Sequence, residues 1–129
     1  MSWRAPSECA VLIVEDDAAI RRLVRMVLER IGYKVEVAAD GVEAVLKMGL
    51  VEFDVIILDL MMPNLDGFAF INTLVVNDPE RLHRIIVTSA ASPAIIRERL
   101  AGRPFDFLMK PFDINELSRR VRACIDAQQ

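Results

Sequence analysis

Asp54-Val55-Ile56-Ile57-Leu58-Asp59-Leu60-Met61-Met62-Pro63 is the most informative run in this chain. Asp54–Leu58 is a short apolar block rich in β-branched side chains, which reads as a strand covered on both faces, as in the middle of a parallel sheet. The run ends on a carboxylate, Asp59, and leads into a turn over Pro63–Gly67.

The same pattern recurs on both sides of this run. Ala10–Val14, Lys34–Ala38, Arg84–Thr88 and Phe105–Met109 are further strand candidates, separated by stretches with helical spacing. The first helix carries Ile20, Leu23, Val24, Val27, Leu28 and Ile31 on one face and ends at Gly32. The second opens on a capping box, Asp40 with Glu43, and is expected to bury Val42, Val45 and Leu46. The third is expected to bury Phe68, Ile71, Leu74 and Val75 before Asp78-Pro79. The fourth begins at Ser92-Pro93 and is expected to stop at Gly102. Asp113 and Glu116 cap the fifth, whose inner face is Ile114, Leu117, Val121 and Ile125. Five strands alternating with five helices predict a doubly wound α/β domain with a flavodoxin-like parallel sheet, order 2-1-3-4-5. Its ligand site belongs at the carboxyl edge between the first and third strands.

With 129 residues the chain has the size of one ordinary domain. Residues 10–127 are assigned to that domain and 1–9 to an N-terminal extension that includes Trp3. A net charge of −3 offers no broad basic field, and Arg119, Arg120 and Arg122 read as the solvated face of the last helix, so no direct nucleic-acid role is expected. Cys9 and Cys124 match no metal or redox spacing and read as buried reduced thiols. Met61, Met62 and Met109 read as core filling. No signal core or membrane-spanning run is visible, so a cytoplasmic protein without a membrane partner is expected.

The chemistry gathers at the strand ends. Glu15 and Asp16 follow the first strand and Asp59 the third, so the fold brings three carboxylates together; such a cluster calls for a counterion, and a hard divalent ion such as Mg2+ suits oxygen ligands. Thr88 and Lys110, at the ends of the fourth and fifth strands, add a hydroxyl donor and an ammonium suited to phosphoryl oxygens. His83, the single histidine, stands away from this edge.

Val14-Glu15-Asp16, Asp59-Leu60-Met61-Met62-Pro63 with Asp66-Gly67, Thr88-Ser89-Ala90 and Lys110-Pro111-Phe112 resemble, in order, the signatures of response regulator receiver domains, over about Val11 to Ile125. The resemblance implies Asp59 as phosphoacceptor, and Glu15, Asp16, Asp59 and the main-chain carbonyl of Met61 as Mg2+ ligands. It also implies Thr88 and Lys110 as phosphoryl-binding groups, Thr88 and Phe107 as switch residues, and a cis peptide before Pro111. The implied partners are a sensor histidine kinase or histidine phosphotransferase as donor, and a downstream protein or an output domain outside this chain. Phosphorylation would reshape the surface of the fourth helix, fifth strand and fifth helix; monomer and phosphorylation-dependent homodimer both stay open. Met61 and Ala90, two positions after Asp59 and Thr88, cannot orient water, which implies slow self-dephosphorylation. Met61 also stands where an aspartate-nucleophile phosphohydrolase needs a second acid, so a signalling phosphoacceptor is expected rather than a turnover enzyme. A receiver-like module that never takes phosphate is the other rival, but every site position is chemically competent. Flavin binding is disfavoured by the acids after the first strand.

Overall fold

Alternate residues of the central strands point to opposite faces, and each face has its own core. Leu12, Ile56, Leu58, Ile85 and Val87 meet one set of helices, and Val11, Ile13, Val55, Ile57 and Ile86 the other. The computed structural model that establishes this describes residues 3–62 and 65–128. In chain order its elements are a 3-10 turn at Pro6–Glu8, β1 Ala10–Val14, α1 Ala18–Ile31, β2 Lys34–Ala38, α2 Gly41–Leu50, β3 Val55–Asp59, β4 Met61–Met62 and β5 Leu65–Asp66. There follow α3 Gly67–Asn77, α4 Pro79–Leu82, β6 Ile85–Ser89, α5 Pro93–Arg99, β7 Asp106–Met109 and α6 Ile114–Asp126.

The five long strands form one parallel sheet in the order β2-β1-β3-β6-β7. Counted along the chain that is 2-1-3-4-5, the predicted flavodoxin-like order. Helices α1 and α6 cover one face through Val24, Leu28, Leu117, Val121 and Ile125. The others cover the opposite face, through Ala44 and Met48 of α2, Ile71 and Leu74 of α3, Leu82 of α4 and Ile96 of α5. The helix starts follow the capping residues: Asp17, Asp40, Asp66, Ser92 and Asp113 each accept main-chain N–H groups at the N-terminus of their helix.

Several expectations need correction. Val42, Val45 and Leu46 are exposed by 64%, 55% and 63%, and α2 buries Gly41, Ala44 and Met48 instead. The apolar spacing of this helix fits either face. Its rotation is fixed by the capping box, with Ala39 N–H on Glu43 Oε2 at 3.2 Å, and by Lys47 Nζ reaching the Val37 carbonyl. On α1, Leu23 and Ile31 lie at the rim, and only Val24 and Leu28 are fully buried. Of the three methionines expected to fill the core, Met62 is buried, whereas Met61 and Met109 are exposed.

Gly102 does not stop α5, which ends at Arg99 with Leu100 as its cap. It serves close packing, because a Cβ there would lie 2.6 Å from Val75 Cγ2 and 2.9 Å from Leu82 Cδ2. Where the turn over Pro63–Gly67 was expected, Met61–Met62 and Leu65–Asp66 pair as a short antiparallel ribbon, and Pro63 itself lies outside the described residues. A sixth α-helix, α4, adds one turn capped by Asp78, with Pro79 in its first turn. Among the described residues no helix is long and apolar enough to cross a membrane.

Candidate functional site

The buried polar side chains among the described residues are Glu15, Asp59, Thr88 and Ser89, and all four lie at the carboxyl end of the sheet. The register explains the convergence: Val14 pairs with Leu58 and Asp59 with Thr88, so the ends of β1, β3 and β6 stand side by side. A buried carboxylate without partners costs several kcal/mol. Glu15 and Asp59 therefore need compensation.

Lys110 supplies part of it. Its main chain is held by an N–H donating to the Ser89 carbonyl at 2.8 Å, and its peptide bond to Pro111 is cis, as the resemblance implied. From there Nζ donates to Glu15 Oε1 at 2.5 Å and to Asp59 Oδ2 at 3.0 Å. The other carboxylate oxygens take main-chain donors: Asp17 N–H to Glu15 Oε2 at 3.3 Å and Met61 N–H to Asp59 Oδ1 at 3.1 Å. Burial pushes the Glu15 carboxyl up to about 7, with Lys110 opposing and Asp59 adding to the rise. Burial alone would lower the Lys110 ammonium, but its hydrogen bonds to Glu15 and Asp59 outweigh that and hold it above the ordinary lysine range.

One ammonium does not balance three carboxylates. Glu15, Asp16 and Asp59 can each offer an oxygen with all three atoms within 4.8 Å of one another, and Asp16 is exposed to solvent. A hard divalent cation, which prefers oxygen ligands and keeps some of its waters, fits this donor set.

The structure thus brings together Glu15, Asp16, Asp59, Thr88 and Lys110. Met61 adjoins them through its N–H, with its side chain turned outward. Phe107 stands on β7 opposite Val87, one residue before Thr88, buried on the α5 side with the Arg97 guanidinium 5.0 Å from its ring centroid. His83 caps α4, and its carbonyl accepts from Cys124 Sγ at 3.7 Å. Arg119, Arg120 and Arg122 are engaged locally with Glu116, Asp106 and Asp126. Sequence reasoning missed Arg21, whose guanidinium donates to the carbonyls of both Glu15 and Asp16. A signal was present: a cation in the first turns of a helix runs against the helix dipole and needs a local reason.

The comparisons agree with this geometry. A profile described as the response regulator receiver domain matches residues 11–122. The transcriptional regulatory protein ResD of Bacillus subtilis is 34% identical over 119 residues, covering 92% of this chain and 49% of ResD. The chain spans about half the length of the curated relatives it matches. Among solved structures, a Francisella response regulator receiver domain superposes with a TM-score of 0.82 at 32% identity, covering 94% of this chain and 99% of that one. The receiver domain of a sensor histidine kinase from Pseudomonas aeruginosa, with a magnesium ion coordinated in its active site cleft, gives 0.77 at 31% identity over 92% of this chain and 98% of that one.

Proposed function

The chain belongs to the response regulator receiver domains of two-component signalling, and on that premise we propose that it takes a phosphoryl group onto Asp59 from a phosphohistidine of a sensor histidine kinase or histidine phosphotransferase. The observation that carries this reading is the buried Asp59 carboxylate facing the Lys110 ammonium at 3.0 Å beside two further acids. An Asp59 oxygen forms a bond to phosphorus, the phosphorus–nitrogen bond of the donor breaks, and its electron pair returns to the imidazole nitrogen. The product is an acyl phosphate. Lys110 neutralises charge on the transferring group, and the Thr88 hydroxyl donates to one of its oxygens.

Glu15, Asp16, Asp59 and the Met61 carbonyl would hold Mg2+, which supplies charge neutralisation at the phosphoryl oxygens. The apolar hollow of about 380 Å³ between Ile20, Leu23, Val24, Pro111, Phe112 and Ile114 borders Lys110 and gives the donor protein a dry surface beside the site. Phosphorylation draws Thr88 toward the new group and resets Phe107, which alters the surface of α5, β7 and α6 read by a downstream protein or output domain. The domain, residues 10–127 with 1–9 as an extension, promotes only its own phosphorylation and dephosphorylation in the cytoplasm.

The test is intact-mass analysis after incubation with acetyl phosphate, with and without Mg2+, on the natural chain and Asp59→Ala. One Mg2+-dependent phosphoryl adduct that is lost in the variant is expected. An adduct unchanged in Asp59→Ala assigns another acceptor, and no adduct at all favours a phosphate-independent binding module.

A further inference from the structure

We propose that Arg21 is a positioning residue for the cation site, acting through the main chain of the two acids that precede α1; this rests on the reading of Glu15, Asp16 and Asp59 as a Mg2+ site. One guanidinium nitrogen, Nη1, donates to the Glu15 carbonyl at 2.9 Å and to the Asp16 carbonyl at 3.3 Å. The peptide between Asp16 and Asp17 is held at both ends, because its N–H donates to Glu15 Oε2 at 3.3 Å. The guanidinium thus fixes the peptide plane that aims a donor at the Glu15 carboxylate. A cation on the carbonyl end also polarises that N–H and strengthens the bond it makes.

Position separates Arg21 from Lys110. The lysine ammonium lies on the carboxylate oxygens themselves, on the side that a metal ion must share. Arg21 approaches from the carbonyl side, so its contacts persist when a divalent ion arrives. Its own backbone is fixed in the first turns of α1, where its N–H donates to the Asp17 carbonyl at 2.9 Å while the Asp17 carboxylate caps the helix. Arg21, Asp17 and the acid pair therefore form one rigid loop, and such outer partners orient the groups that hold a metal.

The two physical effects of Arg21 on Mg2+ binding have opposite signs. A nearby cation repels a divalent ion, so through charge alone its removal tightens binding. Through positioning, its removal loosens binding by about tenfold, the low end for outer-shell partners of metal sites. Calorimetric titration of Mg2+ into the whole chain decides between them, using the natural protein, Arg21→Met, Arg21→Lys and Arg22→Ala. Arg21→Met keeps the aliphatic stem and removes the donor, and Arg22 is an exposed arginine on the same turn. Arg21→Met is expected to bind about tenfold more weakly, Arg21→Lys about threefold more weakly because a flexible ammonium replaces a planar, pre-oriented guanidinium, and Arg22→Ala as tightly as the natural protein or slightly more so. Arg21→Met binding as tightly as the natural protein, or more tightly, overturns the proposal. If Arg21→Met does not fold, unweakened binding by Arg21→Lys overturns it. Absence of Mg2+ binding by the natural protein sinks the underlying metal reading instead.

Discussion

Glu15 titrates near 7 in the folded protein, against about 4.5 for an unperturbed glutamate, so the folded state holds a proton that the unfolded chain has already lost. Its contribution to stability is complete below about 4.5 and disappears as pH rises through about 7. Melting curves of the ion-free protein and Glu15→Gln test this: the variant should gain on the natural protein between about pH 4.5 and 7, and a constant difference refutes the assignment. Gly67 is a second sensitive position, since a Cβ there would lie 2.8 Å from Leu60 Cα and 2.9 Å from the Leu60 carbonyl oxygen. Leu60 directly follows Asp59, so Gly67→Ala should cost about 1–3 kcal/mol in denaturant unfolding and slow formation of the proposed adduct. Met61 and Ala90, two residues after Asp59 and Thr88, carry apolar, exposed side chains. A Met61→Asn, Ala90→Glu double variant should therefore lose its acyl phosphate faster than the natural chain when the adduct is followed by mass over time.

On the elements, α2 separates what a sequence specifies from what it leaves open. Met48→Ala should cost about 2–3 kcal/mol, while Leu46→Ala, on the same helix but facing out, should stay within about 0.5 kcal/mol; equal losses in urea unfolding would contradict the observed rotation. The strands were legible because β-branched runs such as Val55–Leu58 are apolar on both faces and bounded by turn chemistry. The helix starts after Asp40, Ser92 and Asp113 were legible because these caps are chemically marked. The face of α2 was not, since its orientation depends on Lys47 reaching β2, a contact ten residues apart that periodicity does not encode. Gly102 misled for a related reason: a glycine after a helix looks like a stop, yet this one makes room for Val75 and Leu82 from other elements. The carboxylates, Thr88 and Lys110 were legible because each terminates a recognisable strand. Arg21 acts through main-chain carbonyls, which leave no mark in the side-chain pattern.

At the scale of the molecule, the sheet's carboxyl edge carries an excess of negative charge that the fold itself balances only in part. Binding a cation there should stabilise the whole domain: at about a hundred times its Kd, Mg2+ adds about 2.7 kcal/mol. The gain should appear as a raised melting temperature and vanish in Asp16→Ala, which removes an exposed carboxylate of the cluster without opening the core. The opposite end of the domain is tied independently. Arg4 pairs with Asp54 at 2.7 Å, and Arg122 of α6 donates to the Arg4 carbonyl at 2.8 Å and stacks 4.5 Å from the Trp3 ring centroid. Residues 3–9 therefore hold α6 at its far end.

Cys9 and Cys124 are the only thiols in the sequence, and both are sealed in the core, with burial raising Cys9 and pushing Cys124 up to about 12. Neither offers a thiolate to an alkylating reagent near neutral pH while the domain is folded. The natural sequence is thus already a silent background for site-directed spectroscopy. A single cysteine placed at the exposed Ile95 on α5 can carry a fluorophore or spin label with both native thiols left in place, and report in real time on that surface when the chain is treated with acetyl phosphate.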